Sequence, residues 1–228
     1  MTITPSVLSR WSGIAAAAAG AIFIGVQINH PELSATSITT TDVFIRDILK
    51  VLMCSLALAG ITGMYVSQVR RNGVLGFIGY AVLSAGYLGM LAITFAAAFV
   101  LPEVASFNPG FVNDVLAANT ARGTVEGDIG ALQTVFKVVG FAYLVGGLLF
   151  GIALYRARVL TRWAAALLAV GGVVSAALAV MPDAFYRFLA FPNGIAMIAL
   201  GYSLWMVSRT DDTDQPAGVD ASLSSASV

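Results

Sequence analysis

The sequence predicts an all-α bundle of six transmembrane helices arranged as three hairpins. Three observations carry this. Hydrophobic residues make up 58% of the 228-residue chain and charged residues 11%, with a mean hydropathy of +0.87. Soluble proteins carry about 25% charged residues, so this composition fits lipid as the solvent. Stretches 11–28, 44–69, 74–101, 132–155, 161–181 and 184–207 each approach the roughly 20 mostly apolar residues that a spanning helix needs. The connections alternate between tight arginine-bearing turns and longer acidic loops.

The same arithmetic excludes several classes. Twelve Lys+Arg balance twelve Asp+Glu, leaving no basic field for a nucleic acid. The single Cys54 forms no intramolecular disulfide, and the single His30 excludes a multi-histidine metal site. No phosphate-cradling loop, nucleophile elbow or C-x-x-C pair is present. No catalytic set, metal or cofactor is therefore expected, and membrane lipids are the immediate partners.

Orientation follows from the bases in the short connections. Arg10, Arg70, Arg71, Arg156, Arg158, Arg162 and Arg209 fall on one side. Arg46, Lys50, Arg122, Lys137 and Arg187 fall on the other, with most of the acids. Both termini are expected in the cytoplasm of a cell whose plasma membrane the chain spans. Trp11, Trp163 and Trp205 then lie at the cytoplasmic interface, which suits an amphipathic ring.

Taken in order, the first span is Ala-rich and opens at Arg10-Trp11. It is short enough to be mistaken for a signal peptide, but Trp11 and the lack of a clear mature start favour a retained helix. His30, before Pro31, reads as a loop or interface residue. On the second span Asp47, Lys50, Cys54 and Ala57 share a stripe. Asp47 and Lys50, three apart, can pair, and Cys54 reads as a small buried hydrophobe. The third span carries Tyr80, Ser84, Tyr87 and Thr94 on one face, as interhelical hydrogen bonds or as the lining of a pocket.

The long loop 102–131 contains a helix near 109–119. Asn108 caps it, Pro109 starts it, and Phe111, Val112, Val115 and Leu116 form its apolar face. It is a packing strut or a lid over an outward cavity. The fourth span has a stripe of Gln133, Gly140, Gly147 and Gly151 with Lys137 at its margin, so Lys137 is expected to point into the bundle. Gly147-x-x-x-Gly151 is a candidate interface for a second copy or an accessory partner. A faint repeat relates Lys50, Gly60 and Arg71 to Lys137, Gly147 and Arg158, and Arg10-Trp11 to Arg162-Trp163, the pair that opens the fifth span.

The sixth span contains Phe191-Pro192-Asn193-Gly194. Inside a helix, Pro192 removes a backbone bond and clashes with the carbonyl of Phe188. Asn193 would supply a donor and an acceptor where the backbone opens, as in the broken helices of transporters. The tail 209–228 is polar, small and acidic, and is expected to be disordered.

Outer-end charges recur on the second, fourth and sixth spans, as interfacial anchors or as a basic cluster at a cavity mouth. The candidate ligand-binding residues are Lys50, Lys137, Arg187, Asn193, Asp47 and Tyr87. The RW start, LAGITGMY, LFGIALYRARV and PDAFYRFLAFPNGIAMIALGYSLW segments, across most of residues 9–208, resemble a group of actinobacterial multi-pass membrane proteins. That resemblance implies a six-helix membrane protein and carries no activity with it. Three readings stay open: a binder or transporter of a small amphiphilic or anionic molecule in an outward-facing cavity, a structural or accessory subunit, and an intramembrane lipid- or isoprenoid-modifying enzyme with Asp47 or Asp128 as its acid.

Overall fold

The computed structural model describes residues 4–120, 124–179, 188 and 190–213, and among these every regular element is helical. The long helices are α1 (Pro5–Gly25), α2 (Thr41–Val66), α3 (Val69–Phe99), α6 (Leu132–Ala157), α7 (Arg162–Ala179) and α8 (Ala190–Thr213). Two short helices, α4 (Leu101–Ala105) and α5 (Pro109–Thr120), and a 3-10 turn at Ser37–Thr39 occupy the loops. Five helices, α1, α2, α3, α6 and α8, are long and apolar enough to cross a membrane. α7 is a further apolar helix of 18 residues. The outward surface agrees: Phe77, Leu88, Val138, Phe141 and Tyr202 are each more than half exposed. An apolar surface of that extent belongs in lipid rather than water.

Local chemistry sets the element ends. The Thr4 hydroxyl accepts from the Val7 amide at 3.3 Å, and Pro5 follows as the first residue of α1. Asn108 Oδ1 accepts from the Phe111 amide at 3.1 Å and starts α5, as the sequence predicts. α3 is two helices meeting at Gly73, whose φ of +59° is left-handed, so its long segment begins at Val74. α6 stops where Arg158 turns left-handed at φ +56°. α1 begins at Pro5 rather than 11, and α8 continues to Thr213 rather than ending near 207. The rest of the tail lies outside the described residues.

The six long helices form a closed ring in the order α1, α2, α3, α6, α7, α8, each packed on its two neighbours. Glycines set how closely they approach. Across the α1–α8 seam, a Cβ on Gly13 would stand 2.6 Å from the Gly201 carbonyl oxygen, and one on Gly194 would stand 3.0 Å from the Gly20 oxygen. These four glycines lie at reciprocal positions on antiparallel helices, seven residues apart on each. The backbones touch there, which only residues without a Cβ permit. Across α3–α6, Gly86 packs beneath Tyr143 and Gly146 beneath Leu83 in the same manner. The ring interior is filled by Ala57, Ile61, Leu83, Phe150, Leu154, Met197 and Leu200.

A second, smaller core sits over one end of the ring. Val112, Val115 and Leu116 of α5 pack against Ile38, Val43, Leu101 and Ile129. The loops of this cap are pinned through side chains. Asn113 Oδ1 accepts from the Ala35 amide at 2.7 Å, and the Asp114 carboxylate accepts from the Glu126 and Gly127 amides at 2.9 and 3.0 Å. This is the loop end of the molecule. The opposite, turn end carries both described chain ends and the 67–73 and 158–161 connections.

Candidate functional site

The loop end of α2 holds a buried charge cluster. Lys50 Nζ stands 2.8 Å from Asp47 Oδ1 and 3.3 Å from His30 Nε2. His30 Nδ1 lies 2.8 Å from the Pro31 carbonyl oxygen. A carbonyl only accepts, so the proton sits on Nδ1 and Nε2 accepts from Lys50. Burial and the adjacent Lys50 charge, with Arg46 beyond it, hold His30 below its usual pKa, against the raising effects of the Pro31 carbonyl and Asp47. Arg46 completes the corner by donating to the Val26 and Ile28 carbonyls at 3.0 Å each, beyond the end of α1, and by pairing with Asp42. The pairing of Asp47 with Lys50 follows the sequence expectation. His30 stands in a loop, as the sequence predicts, but it is half-buried there and hydrogen-bonded to Lys50, a contact that no spacing signalled.

One turn deeper, Cys54 is fully buried and begins a polar cluster at the centre of the ring. The Tyr87 and Tyr143 rings meet edge to face at 5.3 Å. Their hydroxyls interact, and Tyr143 also reaches the Asn193 side chain. Asn193 is 2% exposed and its Nδ2 has no partner among the described residues. Its Oδ1 lies against Gly171 of α7, where a Cβ would collide with it. Four helices, α2, α3, α6 and α8, thus bring hydroxyl, thiol and amide groups to one point. Sequence reasoning missed Tyr143; the signal for it was a lone hydroxyl in an otherwise apolar and glycine-rich span.

Two further candidates stand elsewhere. Lys137 does not point into the bundle: it is exposed on α6. Along the glycine stripe the α6–α7 contact is tight at Gly151, which abuts Ala165 and Ala169, and looser at Gly147, while Gly140 has nothing among the described residues within 4 Å of its Cβ position. The Gly147/Gly151 face offered to a partner is therefore turned to α7 of the same chain. Arg187 lies outside the described residues, as do Asp183 and Arg122. Pro192 does not interrupt the described part of α8. It stands in the first turn from Ala190, where the lost N–H has no carbonyl within the described helix to meet.

The Tyr80 stripe divides. Tyr80 stacks on Tyr65 at 4.7 Å and its hydroxyl bonds Thr62 Oγ1 at 3.0 Å, an interhelical tie. Thr94 bonds back to its own helix at Met90.

Open space lies at the turn end. α1 and α2 touch where Ser12 meets Gly63 and where Ala16 meets Gly60. Beyond that contact they bound a groove of about 980 Å³. Its apolar wall includes Leu8, Leu58, Ala59, Val66 and Val207; hydroxyls of Thr4, Ser6, Ser9, Ser12, Ser67 and Ser208 share the lining. No protein-family model, curated protein or solved structure matches the chain.

Proposed function

We propose that the protein is a six-crossing integral membrane protein that holds an amphiphilic molecule in the groove between α1 and α2. The observation that carries this is the mixed lining of a space whose volume falls at the upper end of the roughly 300–1,000 Å³ typical of small-molecule sites. Hydroxyls suit a polar head and the Leu8–Leu58–Val66 wall suits an alkyl chain. The groove is at the arginine-rich end, so the binder reading moves from an outward cavity to the cytoplasmic side. Both termini lie in the cytoplasm in this arrangement, by the bias of Arg70, Arg71, Arg156, Arg158, Arg162 and Arg209.

The test uses tritiated palmitate on protein reconstituted in phosphatidylcholine nanodiscs. Wild type retains label that unlabelled palmitate displaces. Ala59→Trp fills the groove and removes most displaceable retention while preserving the elution profile. Displaceable retention that survives Ala59→Trp overturns the groove assignment.

A further inference from the structure

The polar lining of the α1–α2 groove consists of hydroxyl groups alone. Among the described residues, no charged side chain and no side-chain amide borders it. An ionised head placed there would leave water without a counter-ion, which surroundings of low dielectric penalise heavily. Arginines crowd this end of the molecule but stand outside the lining, and Arg209, next to Ser208, lies over the Trp205 ring at 4.7 Å.

Several of the hydroxyl protons are already committed. At the end of α2, Ser67 Oγ donates to the Met64 carbonyl at 3.0 Å, and Thr62 Oγ1 donates to the Leu58 carbonyl at 2.7 Å. On α8, Ser208 Oγ donates to the Leu204 carbonyl at 2.8 Å. A helical hydroxyl that bonds back to its own carbonyl keeps only lone pairs for a ligand. Thr62 also takes the Tyr80 hydroxyl proton, at 3.0 Å. Ser67 and Ser208 are then the fixed acceptors of the groove.

The backbone has the same bias. The start of α1, a natural place for an anion, is closed: Pro5 has no N–H, the Val7 amide donates to Thr4 Oγ1 and the Leu8 amide to the Thr4 carbonyl. Gly63 and Val66, in the last turn of α2, also line the groove. That turn is the negative pole of its helix, which favours a donor.

We infer that the groove selects an uncharged head that donates a hydrogen bond, so that its occupant is a hydroxyl-headed neutral lipid. An ester head only accepts, and the arginines of this end repel an ammonium head. Palmitate enters as its protonated acid, the form that burial favours and the one that carries a donor. This head preference rests on the amphiphile reading of the groove and deepens it.

The experiment measures displacement of tritiated 1-hexadecanol from the full chain in phosphatidylcholine nanodiscs. Unlabelled 1-hexadecanol displaces it at a concentration roughly tenfold or more below those needed of methyl hexadecanoate, which only accepts, and of hexadecyl sulfate, which is ionised. Roughly tenfold is the weight of one net hydrogen bond. The Ser67→Ala/Ser208→Ala pair narrows that gap to about threefold or less. Ser55→Ala removes a hydroxyl of α2 that bonds back to Val51 outside the groove, and leaves the gap intact. A gap unchanged in the pair, or narrowed as much by Ser55→Ala, overturns the assignment of the acceptors. If the ester or the sulfate competes as well as the alcohol in wild type, while Ala59→Trp still removes the displaceable label, the groove stands and the head preference is refuted. If no label is displaceable, or Ala59→Trp leaves it in place, the groove reading itself fails.

Discussion

Removing the partner of a buried charge tests the loop-end cluster most sharply, because the two members of its ion pair differ in exposure. The Asp47 side chain is 4% exposed and the Lys50 side chain 18%. Lys50→Met leaves an almost completely buried carboxylate without its cation, a change that costs about 3–5 kcal/mol. Asp47→Asn leaves an ammonium group that still reaches the His30 Nε2 atom and, along its flexible stem, the interface. Its cost is about 1–3 kcal/mol, the scale of one weakened buried polar contact. The double variant Asp47→Leu/Lys50→Met removes both charges and returns to within about 1 kcal/mol of wild type, because apolar replacement of a buried pair is nearly neutral. At roughly 2–4 °C per kcal/mol for a chain of this size, Lys50→Met lowers the melting temperature by about 6–20 °C. The assay is thermal unfolding in mild detergent, followed by tryptophan fluorescence. Equal losses for the two single variants, with simple addition in the double, refute the reasoning.

Other outcomes follow from the same geometry. Gly20→Leu drives a side chain into the α8 backbone at the ring seam and abolishes monodisperse elution, whereas Gly25→Leu, with nothing within 4 Å of its Cβ position, is tolerated. Gly171→Ala displaces the Asn193 side chain and lowers the melting temperature more than Gly140→Ala, whose Cβ meets nothing among the described residues within 4 Å. His30 has its pKa depressed in the folded chain, so below about pH 6.5 the unfolded chain takes up a proton that the folded chain refuses. Stability from this group is complete above that pH and declines as the pH falls through the folded value. His30→Gln, which keeps an acceptor for Lys50, flattens the wild-type decline that begins below about pH 6.5 in detergent melts.

What the sequence made legible is what short-range physics determines. The helices follow from apolar length, α5 from Asn108-Pro109, and the Asp47–Lys50 pair from their spacing on one helix. What it hid depends on how helices converge or part. The glycine stripe on α6 gave the phase of its contact with α7 but not the exposure of its first turns, so Lys137 was placed inward and stands outside. His30 joins Lys50 across 20 residues of chain, through a bend that Arg46 fixes by holding the Val26 and Ile28 carbonyls. Tyr143 meets Tyr87 only through the antiparallel register of α3 and α6. The turn-end groove had no sequence signature, since it arises where two helices of ordinary composition part beyond Ser12 and Gly63.

The central claim is that an amphiphile lies between α1 and α2, and a photoreactive palmitate analogue tests it most directly. After irradiation in nanodiscs and proteolysis, tandem mass spectrometry locates the adducts. The account predicts labelling concentrated on 4–12 and 58–67, competed by unlabelled palmitate. Label spread over the lipid-facing residues, with Phe141 and Val138 among the most modified and no competition, would contradict it.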